Sequence, residues 1–151
     1  MKTVKGDLIQ LALAGEFDVI IHGCNCFCTM GAGIAKGIKF NFPEAYAKDL
    51  NTESGDENKL GTISFAEVKV STGKLIVVNA YTQYHYAGAD RLVNYDAVRS
   101  AFREVKQKFS DLRIGYPAIG TGLAGGDWNI IATIIDEELD GEQHTFVEYQ
   151  L

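Results

Sequence analysis

Two glycine-rich segments constrain the fold of this chain more than any other feature of its sequence. The first contains Gly31-Ala32-Gly33-Ile34, the second runs from Gly120 to Gly126, and each lies between an apolar run typical of a β-strand and a helical pattern. Glycine lacks a Cβ atom, so consecutive backbone N–H groups can turn toward one ligand, and the N-terminus of the next helix adds the positive end of its dipole. The pair predicts a cleft that binds an anion such as a diphosphate through main-chain amides.

Strand and helix patterns alternate along the chain. Short apolar runs at Val19–Ile21, Leu75–Val78 and Arg113–Tyr116 are typical of strands that are covered on both faces. Apolar residues recur every three or four positions from Tyr95 to Phe109 and again from Trp128 to Leu139, which predicts two amphipathic helices. Crossover helices must cover both faces of parallel strands. The sequence therefore predicts a three-layer α/β/α sandwich with a mixed, largely parallel sheet.

The remaining elements are shorter. Further strands are predicted at Thr3–Val4, Thr62–Phe65, Glu67–Val70 and Thr145–Tyr149, and further helices from Leu8 to Leu13, from about Gly33, and from Glu44 to Leu50. Asp7 is placed to cap the first helix, and a turn at Ser71–Gly73 indicates a hairpin. Residues 51–59 are interpreted as a polar surface connection. We expect the 151 residues, 46% of them hydrophobic, to form one domain.

Charge and hydropathy exclude several classes of function. The chain has 14 basic and 20 acidic residues, a net charge of −6, and its lysines and arginines are scattered. Binding to a nucleic-acid backbone needs clustered positive charge, so we do not expect it. No segment approaches 18 uninterrupted apolar residues, so we expect a soluble, cytoplasmic protein without a membrane partner.

All three cysteines fall within five positions, at Cys24, Cys26 and Cys28. They are too close together for a disulfide framework, and alternate residues of a strand end point to opposite faces, which disfavours a zinc site. A nucleophilic cysteine has only His22 as a candidate activator. We therefore interpret the three residues as reduced thiols that pack, and we expect neither a metal nor a cofactor.

Several stretches match a known family in order and spacing. They read Val4-Lys5-Gly6-Asp7-Leu8, Ile21-His22-Gly23-Cys24-Asn25, Met30-Gly31-Ala32-Gly33-Ile34-Ala35 and Tyr116-Pro117-Ala118-Ile119-Gly120-Thr121-Gly122-Leu123. Over nearly its whole length the chain resembles the macrodomain family, which binds ADP-ribose. Cys24-Asn25-Cys26 and the tail Phe146–Leu151 are similar to the small branch that contains ADP-ribose-1″-phosphate phosphatases and terminal ADP-ribose protein glycohydrolases, and point to its phosphatase side.

The resemblance implies a role for each part of the cleft. Asp7 would accept a hydrogen bond from the adenine amino group, the backbone at Leu8 would contact the ring, and Tyr149 or Leu151 would pack on it. Asn25 would contact the distal ribose. The diphosphate would lie between Gly31, Ala32, Gly33 and Ile34 on one side and Gly120, Thr121, Gly122, Leu123 and Ala124 on the other.

The resemblance is weaker for catalysis. In the glycohydrolase subgroup a lysine after the central strand attacks the distal ribose and an aspartate in the second glycine loop assists. Here Asn79–His85 contains no lysine, and Ala124 occupies the aspartate position. Asp127 is explained by capping the next helix, and its role as an acid stays open.

Hydrolysis of a phosphate monoester needs a proton donor for the leaving hydroxyl or a base for water. His22, His85 and Asp90 are the candidates by position. A histidine also titrates in the pH range that is useful for this chemistry. For His22 the alternative is a structural role at a strand end. His85 and Asp90 belong to Tyr84–Asp90, which we expect to fold over the cleft as a lid.

Three functions remain open. The first is removal of the terminal phosphate from ADP-ribose-1″-phosphate. The second is hydrolysis of ADP-ribosyl esters, with O-acetyl-ADP-ribose or an ADP-ribosylated protein as partner, and the third is binding of ADP-ribose without turnover. A dinucleotide-binding domain of another type is disfavoured, because Gly-x-Gly-x-x-Gly does not follow the first strand and no P-loop sequence is present.

Overall fold

The computed structural model describes all 151 residues, Met1–Leu151. The strands are β1 (Lys2–Gly6), β2 (Val19–Cys24), β3 (Ile63–Val70), β4 (Gly73–Tyr81), β5 (Ile114–Tyr116) and β6 (His144–Tyr149). The helices are α1 (Leu8–Leu13), α2 (Gly33–Asn41), α3 (Pro43–Leu50), α4 (Tyr95–Phe109) and α5 (Trp128–Glu138), with a short 3-10 helix at Glu57–Lys59. None of the helices is both long enough and apolar enough to span a lipid bilayer.

The six strands form one mixed sheet in the order β1-β6-β5-β2-β4-β3. Every neighbouring pair is parallel except β3 and β4, which form the hairpin that the Ser71–Gly73 turn predicts. The two strands predicted on either side of Ala66 are one continuous strand, β3, because the ladder with β4 runs without a break. The predicted α/β class with a largely parallel sheet is confirmed.

Successive residues of β2 pack into two separate hydrophobic cores, one on each face of the sheet, so the domain has three layers. Val19 and Ile21 of β2 pack into a cluster with the apolar faces of α4 and α5. Ile20 faces the other way, into a cluster with α1, α2 and α3. Both faces of the central strands are therefore buried, which explains why these strands read as continuous apolar runs rather than as alternating patterns.

One surface expectation is wrong at its last residue, since residues 51–58 are exposed or half-buried and Lys59 is not. The segment 51–59 was predicted to be a polar connection on the surface, but Lys59 is only 7% exposed. Its ammonium donates a hydrogen bond of 3.0 Å to the carbonyl oxygen of Cys26 and lies 4.8 Å from the centre of the Tyr81 ring. Because a lysine has a long apolar stem, its burial depends on which neighbours the fold brings to it, and local sequence polarity does not report this.

Candidate functional site

Two loops leave neighbouring strands at the same edge of the sheet. We call residues 25–32, after β2, the first glycine loop, and residues 117–126, after β5, the second glycine loop. β2 and β5 are paired in parallel, with Val19 opposite Ile114, so both loops start at adjacent carboxyl ends. A Cβ atom added to Gly23 would lie 3.2 Å from Cγ2 of Ile119. The sequence therefore correctly predicts that the two loops lie side by side at one edge of the sheet, the edge at which α/β sheets bind their ligands. We call the space between the two loops the cleft.

Most of the backbone amides expected to hold the diphosphate have no hydrogen-bond partner within the protein. This is true of Gly31, Ala32, Gly33 and Ile34 in and after the first loop, and of Gly120, Gly122, Leu123 and Ala124 in the second. Thr121 differs, because its amide donates to the carbonyl oxygen of Ala118 at 3.3 Å. The residue before α2, Ala32, has no side chain that could cap the helix, so the helix N-terminus is also free. Unpaired amides and a helix N-terminus are the groups that bind anions.

The glycines of the two loops have different physical roles. A Cβ atom at Gly126 would lie 2.6 Å from the carbonyl oxygen of Gly120, and one at Gly120, where φ is +76°, would lie 2.6 Å from Cγ2 of Val93. In contrast, added Cβ atoms at Gly31, Gly33 and Gly122 would meet no atom within 4 Å. Gly120 and Gly126 are thus required by packing, whereas the other three border open space at the cleft.

A third segment connects the two loops. We call residues 84–92 the bridging segment. The two residues that flank it, Gln83 and Val93, form an isolated antiparallel bridge. The ring of His85 stacks on Phe27 of the first loop, with 4.8 Å between centroids and 14° between planes. At the other end, the amides of Leu92 and Val93 donate to the carbonyl oxygen of Ala124 in the second loop. The bridging segment therefore contacts both sides of the cleft.

The residues expected at adenine lie together at the other end of the same edge. Tyr149 of β6 is paired with Gly6 of β1, directly before Asp7. Asp7 caps α1 by accepting a hydrogen bond of 3.0 Å from the amide of Gln10. Leu8 is buried, while Tyr149 is 70% exposed and Leu151 fully exposed. Tyr149 is therefore free to contact a ligand, and Asp7 has a structural role whether or not it binds one.

Asn25 follows β2 and is fully engaged with its own loop. Its amide nitrogen donates to the hydroxyl of Thr29 at 2.7 Å and to the carbonyl oxygen of Thr29 at 3.1 Å, and its amide oxygen accepts from the backbone N–H of Phe27 at 2.8 Å. In this structure Asn25 thus stabilises the turn of the first glycine loop. Contact with a ribose would require one of these hydrogen bonds to be shared or exchanged.

The three catalytic candidates have different environments. His22 is completely buried, and its Nε2 donates to Oδ1 of Asn79 at 2.7 Å. Burial lowers the pKa of His22 to about 4, although the hydrogen bond to Asn79 opposes this. His22 is therefore not positioned to contact a ligand in the cleft, which favours a structural role. His85 and Asp90 are both exposed on the bridging segment.

Asp127 has a defined structural role. Its carboxylate accepts a hydrogen bond of 2.9 Å from the amide of Asn129, which makes it the N-cap of α5. Its own amide donates to the hydroxyl of Tyr95 at 3.1 Å. These contacts attach the start of α5 to α4 directly after the second glycine loop.

Sequence reasoning missed two features of this region. Phe27 joins the first glycine loop to the bridging segment, yet a single phenylalanine in a loop gives no signal of a partner 58 residues away. Beneath the first loop lies a buried group of polar side chains, of which Asp49 is 1% exposed and Asn79 fully buried. For Asn79 the sequence signal was its position directly after the apolar run Leu75–Val78, whereas Asp49 follows a lysine in a mixed helical segment and gave no signal.

A cavity of about 590 Å³ opens at the opposite edge, among the amino-terminal ends of β1, β5 and β6. Lys5, Glu16 and Arg113 are among its lining residues, and no residue of either glycine loop lines it. The Arg113 guanidinium is already bound to both carboxylate oxygens of Asp18, at 3.0 and 3.1 Å. This cavity is therefore separate from the candidate site.

Comparison with known proteins places the chain in a family. The family model described as Macro domain matches residues 21–135. An uncharacterized 17.5 kDa protein of Enterobacteria phage T4 is 38% identical, over 90% of this chain and 88% of that protein. A Candida albicans protein named ADP-ribose 1″-phosphate phosphatase is 25% identical, over 89% of this chain and 90% of its own. The structure titled Thermosipho africanus DarTG in complex with ADP-ribose aligns with a TM-score of 0.75 and 17% identity, covering all of this chain and 42% of that one. The chain is a member of the macro domain family.

Proposed function

We propose that this protein binds ADP-ribose in the cleft between its two glycine loops and hydrolyses a derivative of the distal ribose, namely ADP-ribose-1″-phosphate, to ADP-ribose and phosphate. The observation that carries the proposal is the set of unpaired amides on two loops that leave adjacent parallel strands. The two glycine loops contain no lysine or arginine, so their amides are the groups with which they would bind a diphosphate.

The order of the strands fits the order of the parts of ADP-ribose. Asp7 and Tyr149, at β1 and β6, would contact adenine. The glycine loops after β5 and β2 would hold the diphosphate. The bridging segment, which follows β4, would then lie beside the distal ribose, together with Asn25. Sheet order β1-β6-β5-β2-β4 thus supports a single extended binding mode along one edge.

Relatives support the ligand and the reaction class. The Candida albicans relative is named for the phosphatase reaction, and the fold is shared with a protein in complex with ADP-ribose. The curated relative covers nearly the whole chain, so the comparison concerns the same domain. At 25% identity this relative supports ADP-ribose as the ligand and hydrolysis of its derivative as the reaction class.

His85 and Asp90 are the side chains to which we assign the proton transfers. Water would attack the 1″-phosphorus, the bond between phosphorus and the ribose oxygen would break, and His85 would donate a proton to that leaving oxygen to give the ribose hydroxyl. Asp90 would accept the proton of the attacking water. Both residues are exposed on the segment that touches both glycine loops, whereas His22 is buried away from the cleft.

Two measurements test the proposal. Calorimetry with ADP-ribose should show one site, and a lack of heat at millimolar ligand would overturn the binding proposal. Release of inorganic phosphate from ADP-ribose-1″-phosphate should fall about 10²-fold or more in His85→Ala and Asp90→Ala. Asp140→Asn, an exposed change at the opposite edge, is the matched control. Unchanged turnover in both cleft variants would reject the catalytic assignment.

A second candidate is an ADP-ribose-binding protein without turnover. It is favoured by the absence of the subgroup's lysine from Asn79–His85 and by Ala124 in place of its aspartate. Tight binding of ADP-ribose with no release of phosphate would support it. Release of ADP-ribose from O-acetyl-ADP-ribose or from an ADP-ribosylated protein would instead indicate an ester hydrolase.

A further inference from the structure

A polar cluster of buried and half-buried side chains holds the base of the first glycine loop against α3. We define it as Cys28, Asp49, Thr52, Lys59 and Tyr81. The Cys28 sulfur lies 3.2 Å from the carbonyl oxygen of Asp49 and 3.5 Å from the hydroxyl of Thr52. The Tyr81 hydroxyl donates to Oδ1 of Asp49 at 2.8 Å. The cluster therefore connects the loop after β2 to the end of α3.

Lys59 is a buried cation, and the buried carboxylate of Asp49 is a charged neighbour beyond salt-bridge distance. No carboxylate oxygen lies within ion-pair distance of its Nζ, although the residue is only 7% exposed. Its nitrogen lies 3.0 Å from the carbonyl oxygen of Cys26 and 3.6 Å from the sulfur of Cys28. A buried charge is costly unless it is compensated, and the carbonyl oxygen of Cys26 and the sulfur of Cys28 are polar groups that lie against this ammonium.

The three cysteines are not equivalent. Cys24 and Cys26 are buried, whereas Cys28 is half-buried. Burial raises the pKa of Cys24 well above its ordinary value and also raises that of Cys26. Cysteine reactivity requires thiolate character and access together. Only Cys28 combines solvent access with a cation at its sulfur.

We infer that Cys28 is a peroxide-reactive thiol and that its oxidation weakens ligand binding in the cleft. The sulfur attacks one oxygen of a hydroperoxide; a sulfur–oxygen bond forms as the oxygen–oxygen bond breaks. The leaving hydroxide takes up the thiol proton, so hydrogen peroxide gives a sulfenic acid and water. Sulfur loses two electrons and the peroxide gains them. Two equivalents of a small thiol reverse the change, giving the cysteine, a disulfide and water.

The position of Cys28 links this chemistry to the cleft. Its backbone has φ +58°, which is uncommon for a residue with a side chain, and its sulfur is packed against Asp49 and Thr52. An added oxygen has to displace these contacts or the hydrogen bond from Lys59 to Cys26. Cys28 lies three residues after Asn25 and three before Gly31, so such a displacement moves the first glycine loop. This second half of the inference rests on the proposed binding of ADP-ribose.

To test the reactivity of Cys28, the reduced full chain is treated with hydrogen peroxide and dimedone, a diketone that traps sulfenic acids. Peptide mass spectrometry should find the trap on Cys28 and not on Cys24 or Cys26, and Cys28→Ser should abolish it. Lys59→Met should slow the trapping of Cys28 at least fivefold, and Lys59→Arg, which keeps the cation, should restore much of the rate. Earlier labelling of Cys24 or Cys26 in the native protein would overturn the inference. That comparison needs no variant, so it stands even if Lys59→Met fails to fold.

Calorimetry with ADP-ribose then measures the coupling. Peroxide treatment should weaken binding about tenfold or more, dithiothreitol should restore it, and Cys28→Ser should be unaffected by peroxide. Affinity that stays within twofold after complete oxidation of Cys28 would overturn the coupling. If the reduced protein does not bind ADP-ribose at all, the proposed function fails, while the labelling pattern still decides whether Cys28 is the reactive thiol.

Discussion

The backbone N–H of Leu92 donates a hydrogen bond of 2.8 Å to the carbonyl oxygen of Ala124. The two residues are 32 positions apart, and this bond joins the bridging segment to the second glycine loop. Val93 strengthens the connection, since its side chain fills the space next to Gly120 and Gly126. The cleft is therefore bounded by three pieces of chain that support one another.

The second glycine loop should tolerate a methyl group at one glycine and not at another. In Gly126→Ala the new Cβ meets the carbonyl oxygen of Gly120 and Val93, both at 2.6 Å, so we expect a loss of about 1–3 kcal/mol in the free energy of unfolding. Gly122→Ala meets no atom within 4 Å and serves as the matched control. Urea unfolding monitored by circular dichroism measures both. Equal stability of the two variants would contradict the packing role of Gly126.

A negative side chain at Gly33 should abolish ADP-ribose binding. Gly33→Glu places bulk and negative charge in open space at the free N-terminus of α2, where the diphosphate is proposed to bind. Gly141→Glu is the matched control: its φ of +83° is also positive and its Cβ also meets no atom, but it lies in the turn between α5 and β6. Calorimetry should show binding for the control alone. Unchanged affinity of Gly33→Glu would place the diphosphate elsewhere.

His22 should make the protein sensitive to acid. Its pKa is about 4 in the folded state and about 6.5 in the unfolded chain, so the unfolded chain binds the proton first as the pH falls. The stabilisation is fully present above pH 6.5 and is lost as the pH falls toward 4, with a loss of about 2 kcal/mol between pH 7.5 and pH 5. Urea unfolding at both pH values measures this loss.

His22→Gln is the control, because glutamine keeps a donor for Asn79 and does not titrate. The variant should lose less stability over the same pH range, since every other ionisable group is common to both proteins. An identical loss in both proteins would assign the acid sensitivity to other groups.

Asp127 should contribute to stability rather than to turnover. Asp127→Ala removes the cap of α5 and should cost about 1 kcal/mol of unfolding free energy, whereas Asp127→Ser keeps an acceptor for the amide of Asn129 and should cost less. Phosphate release by Asp127→Ser should equal that of the unchanged protein. A large fall in turnover of this stable variant would identify Asp127 as an acid in the reaction.

Much of the fold could be predicted from local patterns. The strands at Val19–Ile21 and Leu75–Val78 and the helix at Tyr95–Phe109 follow from hydrophobic periodicity, which reports burial on one or two faces. The capping roles of Asp7 and Asp127 follow from residue type directly before a helical pattern. The meeting of the two glycine loops follows from the rule that parallel strands present their carboxyl ends at one edge.

The candidate site could be predicted less fully from local patterns. Gly31, Gly33, Gly120 and Gly126 look alike in the sequence, yet two border open space and two are required by contacts with Val93 or the backbone. His22 was a plausible acid, but the fold buries its ring and bonds it to Asn79, which in turn donates to the Ala45 carbonyl oxygen of α3. Phe27 and His85 give no local sign that they stack.

The sequence by itself thus determined which segments form strands and helices and which loops supply free amides. Only the tertiary structure decided which glycines face the cleft, which polar side chains are buried, and that Lys59 lies beside Cys28. The physical reason is that backbone conformation depends mainly on neighbours along the chain, whereas burial and contact depend on residues that folding brings together from distant positions.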